Sequence, residues 1–137
     1  MAHRVLAHTA DTGIEATADS LASLIRELLL GMFGLEAAIE PSAAQRWITL
    51  RVEAPTPEDL VVDTLSELLF HSEIEDLVFC DFRVEMDRDE LAVSVEAGGV
   101  PVGAVEPEGP PIKAVTFHDL VAEERDGGWY ARVYFDV

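Results

Sequence analysis

Apolar and polar residues alternate with a period of two along several short stretches, a pattern typical of strands with one buried face. In the stretch 46–53, for example, Ile48 and Leu50 point to the opposite face from their polar neighbours. Turn-forming runs at 87–89 and 125–128 join neighbouring stretches and predict antiparallel hairpins. The alternation predicts strands over 4–9, 13–18, 46–53, 78–86, 90–97, 112–117, 120–124 and 129–137.

Two longer stretches repeat apolar residues every three or four positions, which is the spacing of an amphipathic helix. The first follows Ser20, an N-cap residue, and carries its apolar stripe from Leu21 to Leu35. Gly31 and Gly34 interrupt this stripe, so we expect the helix to weaken or end there.

The second helix has a strong start signal, with Thr56 as the N-cap and Pro57 at the first helical position. Two helices among seven or eight strands, mostly joined by short turns, predict an α+β fold with largely antiparallel sheets. The expected buried face of this helix consists of Leu60, Val61, Thr64, Leu65, Leu68 and Leu69.

The stretch 98–111 holds four glycines and four prolines in fourteen residues. Proline removes a backbone donor and glycine favours turns, so this composition opposes regular structure. We expect a mobile loop here.

The 137 residues suit one domain over 1–137. No apolar run reaches the roughly 18 residues of a membrane span, and the first residues lack the pattern of a signal peptide. A single cysteine, Cys80, excludes an internal disulfide and lies in an apolar run, which favours a buried, inert thiol. These features favour a cytoplasmic location without membrane association.

The charge balance is strongly acidic, with 27 acidic residues, nine basic residues and a formal net charge of −18. Such a surface repels phosphate backbones, so we expect no direct nucleic-acid binding. It suits cations, basic protein surfaces or a salty cytoplasm, and an acidic proteome would equally account for it. Lys113 is the only lysine, and its compact ammonium group differs from the planar guanidinium of the eight arginines.

Carboxylates lie at two predicted strand ends, Asp11 after the first strand and Asp136 in the last, with the α-carboxylate of Val137 beside it. Three such oxygen ligands suit Ca²⁺ or Mg²⁺ rather than zinc. Alternatively, Asp11 is a turn former that accepts local backbone hydrogen bonds. His8 and His118 also lie at strand ends, where a structural hydrogen-bonding role is the alternative to a functional one.

Four blocks resemble the motifs of the archease family in order and spacing, and together they cover nearly the whole chain. The blocks are H-T-A-D-T-G-I-E at 8–15, D-T-L-S-E-L-L-F at 63–70, K-A-V-T-F-H-D-L at 113–120 and A-R-V-Y-F-D-V at 131–137. The chain lacks the glycine-rich phosphate loops and the nucleophile elbow that would indicate an autonomous enzyme.

The resemblance implies an accessory role rather than an enzymatic one. Archeases assist RtcB-type RNA ligases, which seal tRNA halves and other broken RNAs, by promoting ligase guanylylation and repeated turnover. Carried over by position, Asp11, Asp136 and Val137 match the ligands of a divalent cation, and Lys113 matches a functionally important lysine. His8 and His118 are second-tier neighbours.

One stretch departs from the family pattern. Archeases usually carry an Arg-His pair in the loop before the lysine-bearing strand, whereas 98–111 contains neither residue. We therefore place no site residue in this loop. Two other classes remain open: a general chaperone that uses its acidic surface alone, and a stand-alone metal-dependent hydrolase.

Overall fold

The described residues, 1–7 and 12–137, form two α-helices and eight strands in this computed structural model. Two short 3-10 turns, Pro41–Ala43 and Val102–Ala104, interrupt the connections. In chain order the elements are β1 (Ala2–Ala7), β2 (Thr12–Ala18), α1 (Leu21–Glu36), β3 (Arg46–Glu53), α2 (Pro57–Glu75), β4 (Leu77–Met86), β5 (Ala92–Pro101), β6 (Ala114–Val115), β7 (Val121–Arg125) and β8 (Gly128–Asp136).

The strands form two antiparallel sheets. The larger sheet has the order β1-β2-β8, and the far edge of β8 is shared by β7 and β6. The smaller sheet has the order β3-β5-β4. This arrangement confirms the predicted α+β class with antiparallel sheets.

Helix α1 begins where predicted but ends later. The Ser23 amide donates to Ser20 Oγ at 3.1 Å, which confirms the N-cap. The prediction that the helix ends at Gly31 or Gly34 is wrong, because α1 continues to Glu36; that these glycines weaken the helix stays a prediction. Gly31 is a packing position, since a Cβ there would approach His3 and Ile14 to 3.0 Å.

Helix α2 agrees closely with the sequence prediction. The Asp59 amide donates to Thr56 Oγ1 at 3.1 Å, so the predicted N-cap is correct. Leu69 is half-buried, and Val62 is buried in addition to the predicted residues. The helix ends at Glu75, and the C-cap residue Asp76 adopts the left-handed conformation with φ 52°.

The predicted loop at 98–111 is partly a strand, because β5 continues to Pro101. Gly98 pairs with Trp47, and a Cβ on Gly98 would lie 2.6 Å from the indole ring. Gly99 faces the β-bulge between Phe79 and Asp81, where a Cβ would lie 2.7 Å from a carbonyl oxygen. These glycines permit close approach inside a sheet rather than a turn.

The predicted strand at 112–117 is also shorter than expected. Only Ala114–Val115 pairs with β8, and Thr116 then makes backbone and side-chain bonds to the Tyr134 carbonyl. The predicted strands at 120–124 and 129–137 correspond to β7 and β8, each shifted by one residue.

The core lies between the helices and the two sheets. Phe33 of α1 packs against Phe79 and Phe82 of β4, with ring centroids 5.5 and 5.8 Å apart. Cys80 is buried beside them, and burial raises the pKa of its thiol, which confirms the predicted buried cysteine. Neither α-helix of the described chain has the length and apolar content to cross a membrane.

Candidate functional site

The end of strand β8 is the point at which three of the four sequence blocks meet. On one side Thr12, the residue after Asp11, pairs with Phe135 of β8. On the other side Ala114 pairs with Asp136, and the Lys113 amide donates to the Asp136 carbonyl at 2.8 Å. Strand pairing therefore brings the lysine block and the C-terminal block together directly beside the start of β2.

The predicted residues fall into two groups. Lys113, Asp136 and Val137 are exposed and lie together at this strand end. Asp11 and His8 lie outside the described residues. The predicted pairing of Asp11 with Asp136 in one cation site therefore stays a prediction.

His118 follows the short strand β6, which pairs with the same edge of β8 as the Lys113 segment, and it lies two residues after Thr116. The Thr116 amide and hydroxyl both donate to the Tyr134 carbonyl, at 3.0 and 3.1 Å, and the His118 amide donates to Thr116 Oγ1 at 3.3 Å. The His118 ring lies 3.2 Å from a carboxylate oxygen of Asp119 and 6.1 Å from the centre of the Tyr134 ring. The exposed imidazole therefore lies near Tyr134, which precedes Asp136 by two residues in β8.

Tyr134 and Gly13 belong to this site but were missed at the sequence level. The two residues pair across β2 and β8, and a Cβ on Gly13 would lie 2.5 Å from the tyrosine ring. The glycine of the opening motif therefore leaves room for the aromatic ring. The sequence pattern that could have indicated Tyr134 is the alternation of side chains along a strand, which places Tyr134 on the same face of β8 as Asp136.

The segment that leads to Lys113 is attached to the end of α1. The Glu36 carboxylate accepts a hydrogen bond from the Ile112 amide at 3.1 Å, and the Glu36 carbonyl accepts one from the Glu108 amide at 2.9 Å. Glu36 is half-buried, and desolvation raises the pKa of its carboxyl despite the Ile112 hydrogen bond. Glu36 therefore helps to position the residue that precedes Lys113.

The donor chemistry at the strand end fits a hard divalent cation. The Asp136 carboxylate is exposed and makes no hydrogen bond or ion pair with any residue the structure describes, so its oxygens are available. Within 1–7 and 12–137 no group of three or more His, Cys, Asp or Glu side chains is arranged to hold a metal ion. The His, Cys, Asp and Glu side chains of these residues therefore do not by themselves form a three-ligand metal site at this end of β8.

Together these features describe a small, acidic α+β protein whose candidate site residues Lys113, Asp136 and Val137 lie at the end of a central strand. The Archease protein family model matches residues 3–137. Protein archease from Methanosarcina mazei is 32% identical, covering 98% of this chain and 95% of its own. Protein archease from Pyrococcus abyssi is 30% identical, covering 95% of this chain and 94% of its own. The chain belongs to the archease family.

Two solved structures share the fold. The solution structure of Methanobacterium thermoautotrophicum protein 1598 is 26% identical and superposes with a TM-score of 0.73, covering 98% of both chains. A crystal structure from Thermotoga maritima, described as an archease and possible chaperone, has a TM-score of 0.70 and covers 96% of this chain and 94% of its own. At 21% identity, this second likeness shows the fold alone.

Proposed function

We propose that this protein is a cytoplasmic, non-enzymatic activator of an RtcB-type RNA ligase, acting in tRNA splicing or RNA repair. It promotes guanylylation of the ligase and its multiple turnover. Membership of the archease family supports the class of partner. The observation that carries the proposal is the convergence of Lys113 and Asp136 beside the start of β2.

The proposed working part is a divalent-cation site formed by Asp11, Asp136 and Val137, with Ca²⁺ or Mg²⁺ as the ion. Their carboxylate oxygens match the ligand preference of both ions. A bound cation would supply positive charge that stabilises phosphate oxygens. Lys113 is exposed and its backbone amide donates to the Asp136 carbonyl, and its ammonium group suits a phosphate or an acidic side chain of the ligase.

The overall charge favours a protein partner over free RNA. A net charge of −18 repels the phosphate backbone, so the protein would approach the ligase rather than the RNA substrate. The same charge steers the molecule towards a basic protein face. His118 and His8 are proposed as neighbours that shape the site rather than as ligands.

The test is transfer of labelled guanylate to the ligase, measured with and without this protein across Mg²⁺, Mn²⁺ and Ca²⁺. We expect Asp11→Ala and Asp136→Asn to lower the stimulation by at least about tenfold, because removing groups that support a metal site has effects of this size. Lys113→Ala should also lower it. The matched control is Asp126→Asn, an exposed aspartate in the turn before β8 and about 30 Å from Asp136 along the strand.

Lys113 and Asp136 are exposed, so their substitution should leave the fold intact, and thermal unfolding of every variant checks this. Wild-type stimulation by both Asp11→Ala and Asp136→Asn would exclude the proposed cation site. A general chaperone predicts a different outcome, in which neither aspartate matters and unrelated proteins are protected from aggregation. Turnover of RNA without any ligase would instead indicate a hydrolase.

A further inference from the structure

A groove of about 870 Å³ lies between the second half of α2 and the segment 102–115. Its walls include Leu69 and Phe70 on the helix side and Val102, Ile112 and Val115 on the other. Lys113 also lines it, so the groove leads directly to the candidate site at the end of β8.

Hydrogen bonds at both ends hold the groove in shape. At one end the Val102 amide donates to the Asp76 carbonyl at 2.9 Å, just beyond the last turn of α2. At the other end the Glu36 carboxylate binds the Ile112 amide. The cleft is therefore already formed in the isolated chain, which lowers the conformational cost of binding.

Two large apolar side chains on its walls are open to solvent. Phe70 is 55% exposed and Val102 is 53% exposed, although each is close to buried core residues. Neighbouring exposed apolar side chains around a concave surface are typical of an interaction site. Their position beside Leu69 and Val115 gives the groove an apolar floor with an exposed margin.

The charges around the groove are mostly negative. Among the described lining residues, Glu36, Glu73 and Asp76 are acidic and Lys113 is basic. An occupant with arginine or lysine beside its apolar residues would complement this pattern, whereas a nucleic-acid strand would be repelled. The α2 wall runs from Ser66 to the helix end at Glu75, about 15 Å, enough for a short peptide segment.

We infer that this groove is the docking site for an amphipathic, basic segment of the RNA ligase. Its apolar side chains would contact Phe70 and Val102, and its basic side chains would meet Glu73 and Asp76. This inference rests on the proposed function, because the partner is the ligase. Docking here would bring the ligase next to Lys113 and Asp136.

The test separates binding from activation. The dissociation constant for the ligase is measured by titration calorimetry with the wild-type protein, Phe70→Ser and Val102→Ser. Each groove variant should weaken binding by about tenfold or more, since apolar anchors in a pocket contribute at this level. Val5→Ser is the matched control, because Val5 is 57% exposed on β1 and does not line the groove.

Stimulation measured at saturating concentrations of each variant distinguishes the docking groove from the proposed cation site. At high concentration Phe70→Ser should recover full stimulation of guanylylation, because only affinity is reduced, whereas Asp136→Asn should bind normally without stimulating. Glu73→Gln should weaken binding and reduce its salt dependence.

Unchanged affinity in both groove variants, with normal wild-type stimulation, would overturn the docking site and leave the proposed function standing. Absence of both wild-type binding and wild-type stimulation would overturn the proposed function and this inference with it. Loss of self-association in the variants, seen by light scattering without an effect on the ligase, would show that a second copy occupies the groove. If the groove variants bound single-stranded RNA more weakly than the wild type but bound the ligase equally well, a peptide occupant would be rejected.

Discussion

At the scale of single residues, Thr64 is an unusual member of the core. Its side chain is fully buried in α2, and its hydroxyl oxygen has no hydrogen-bond partner among the described residues. Burying an unpaired hydroxyl costs about 1–3 kcal/mol in proteins. The sequence pattern correctly predicted that Thr64 is buried, but it could not indicate whether the hydroxyl finds a partner.

We therefore expect Thr64→Val to raise the free energy of unfolding by about 1 kcal/mol, because valine keeps the shape and removes the hydroxyl. Urea denaturation measures the change. Thr64→Ser is the control, since it keeps the hydroxyl and removes a methyl group, and it should be less stable than wild type. A destabilised valine variant would contradict an unpaired hydroxyl.

Several glycines show what sequence reasoning misses at this scale. Gly13 leaves space for the Tyr134 ring, and Gly98 leaves space for the indole of Trp47. Each neighbour comes from a strand far away in the sequence, so nothing within a few positions reveals the contact. The sequence reading assigned Gly98 to a loop because glycine is common in turns.

At the scale of elements, the attachment of the 105–112 segment to α1 depends on Glu36. Burial raises the pKa of its carboxyl above the usual 4.5. The contribution of a group with a raised native pKa is fully present below the unfolded pKa, and it is lost as the pH rises through the folded value. The Glu36 carboxylate thus weakens the attachment at neutral pH relative to acid pH.

Glu36→Gln should remove this dependence, because glutamine still accepts from the Ile112 amide but does not ionise. We expect the stability of wild type relative to this variant to fall as the pH rises from below 4.5 to neutral. Urea denaturation of both proteins between about pH 4 and 7 measures the difference.

Glu15→Gln provides a control with the opposite sign. The Tyr130 hydroxyl donates to the Glu15 carboxylate at 2.9 Å, and this hydrogen bond lowers the pKa of Glu15. The contribution of the Glu15 carboxylate to stability is present above pH 4.5, the usual pKa of the group, and is lost as the pH falls. The wild type should therefore lose stability relative to Glu15→Gln in acid. The same pH trend for both variants would contradict these assignments.

At the scale of the whole molecule, the net charge of −18 acts against the compact state through mutual repulsion. Some ion pairs offset it locally. Arg51, for example, lies 2.5, 3.2 and 2.9 Å from carboxylate oxygens of Glu53, Asp87 and Glu90. Exposed pairs of this kind contribute little each, so long-range repulsion should dominate.

We expect NaCl to stabilise the protein for this reason. The Debye length falls from about 30 Å at 0.01 M to about 3 Å at 1 M, which removes long-range repulsion before it weakens close pairs. The thermal unfolding midpoint, measured over this range, should rise. A midpoint that falls with salt would show that ion pairs such as those of Arg51 outweigh the repulsion.

The fold class, the overall charge and the starts of both helices could be predicted from the sequence alone. The sequence predicted the N-caps at Ser20 and Thr56, because each cap joins residues within one turn of a helix. It also predicted the buried face of α2, because that face follows from the helical period of its apolar residues. The family resemblance also identified Lys113 and Asp136 as residues of interest.

Strand pairing and the spaces between elements could not be predicted from the sequence, because both depend on long-range contacts. The position of β8 between β2 and β6, the length of β5 and the groove beside α2 all depend on contacts between distant parts of the chain. Alternation shows which face of a strand is buried, but it does not indicate which strand is its neighbour. Strand neighbours are determined by the packing of the whole core, which involves residues far apart in the sequence.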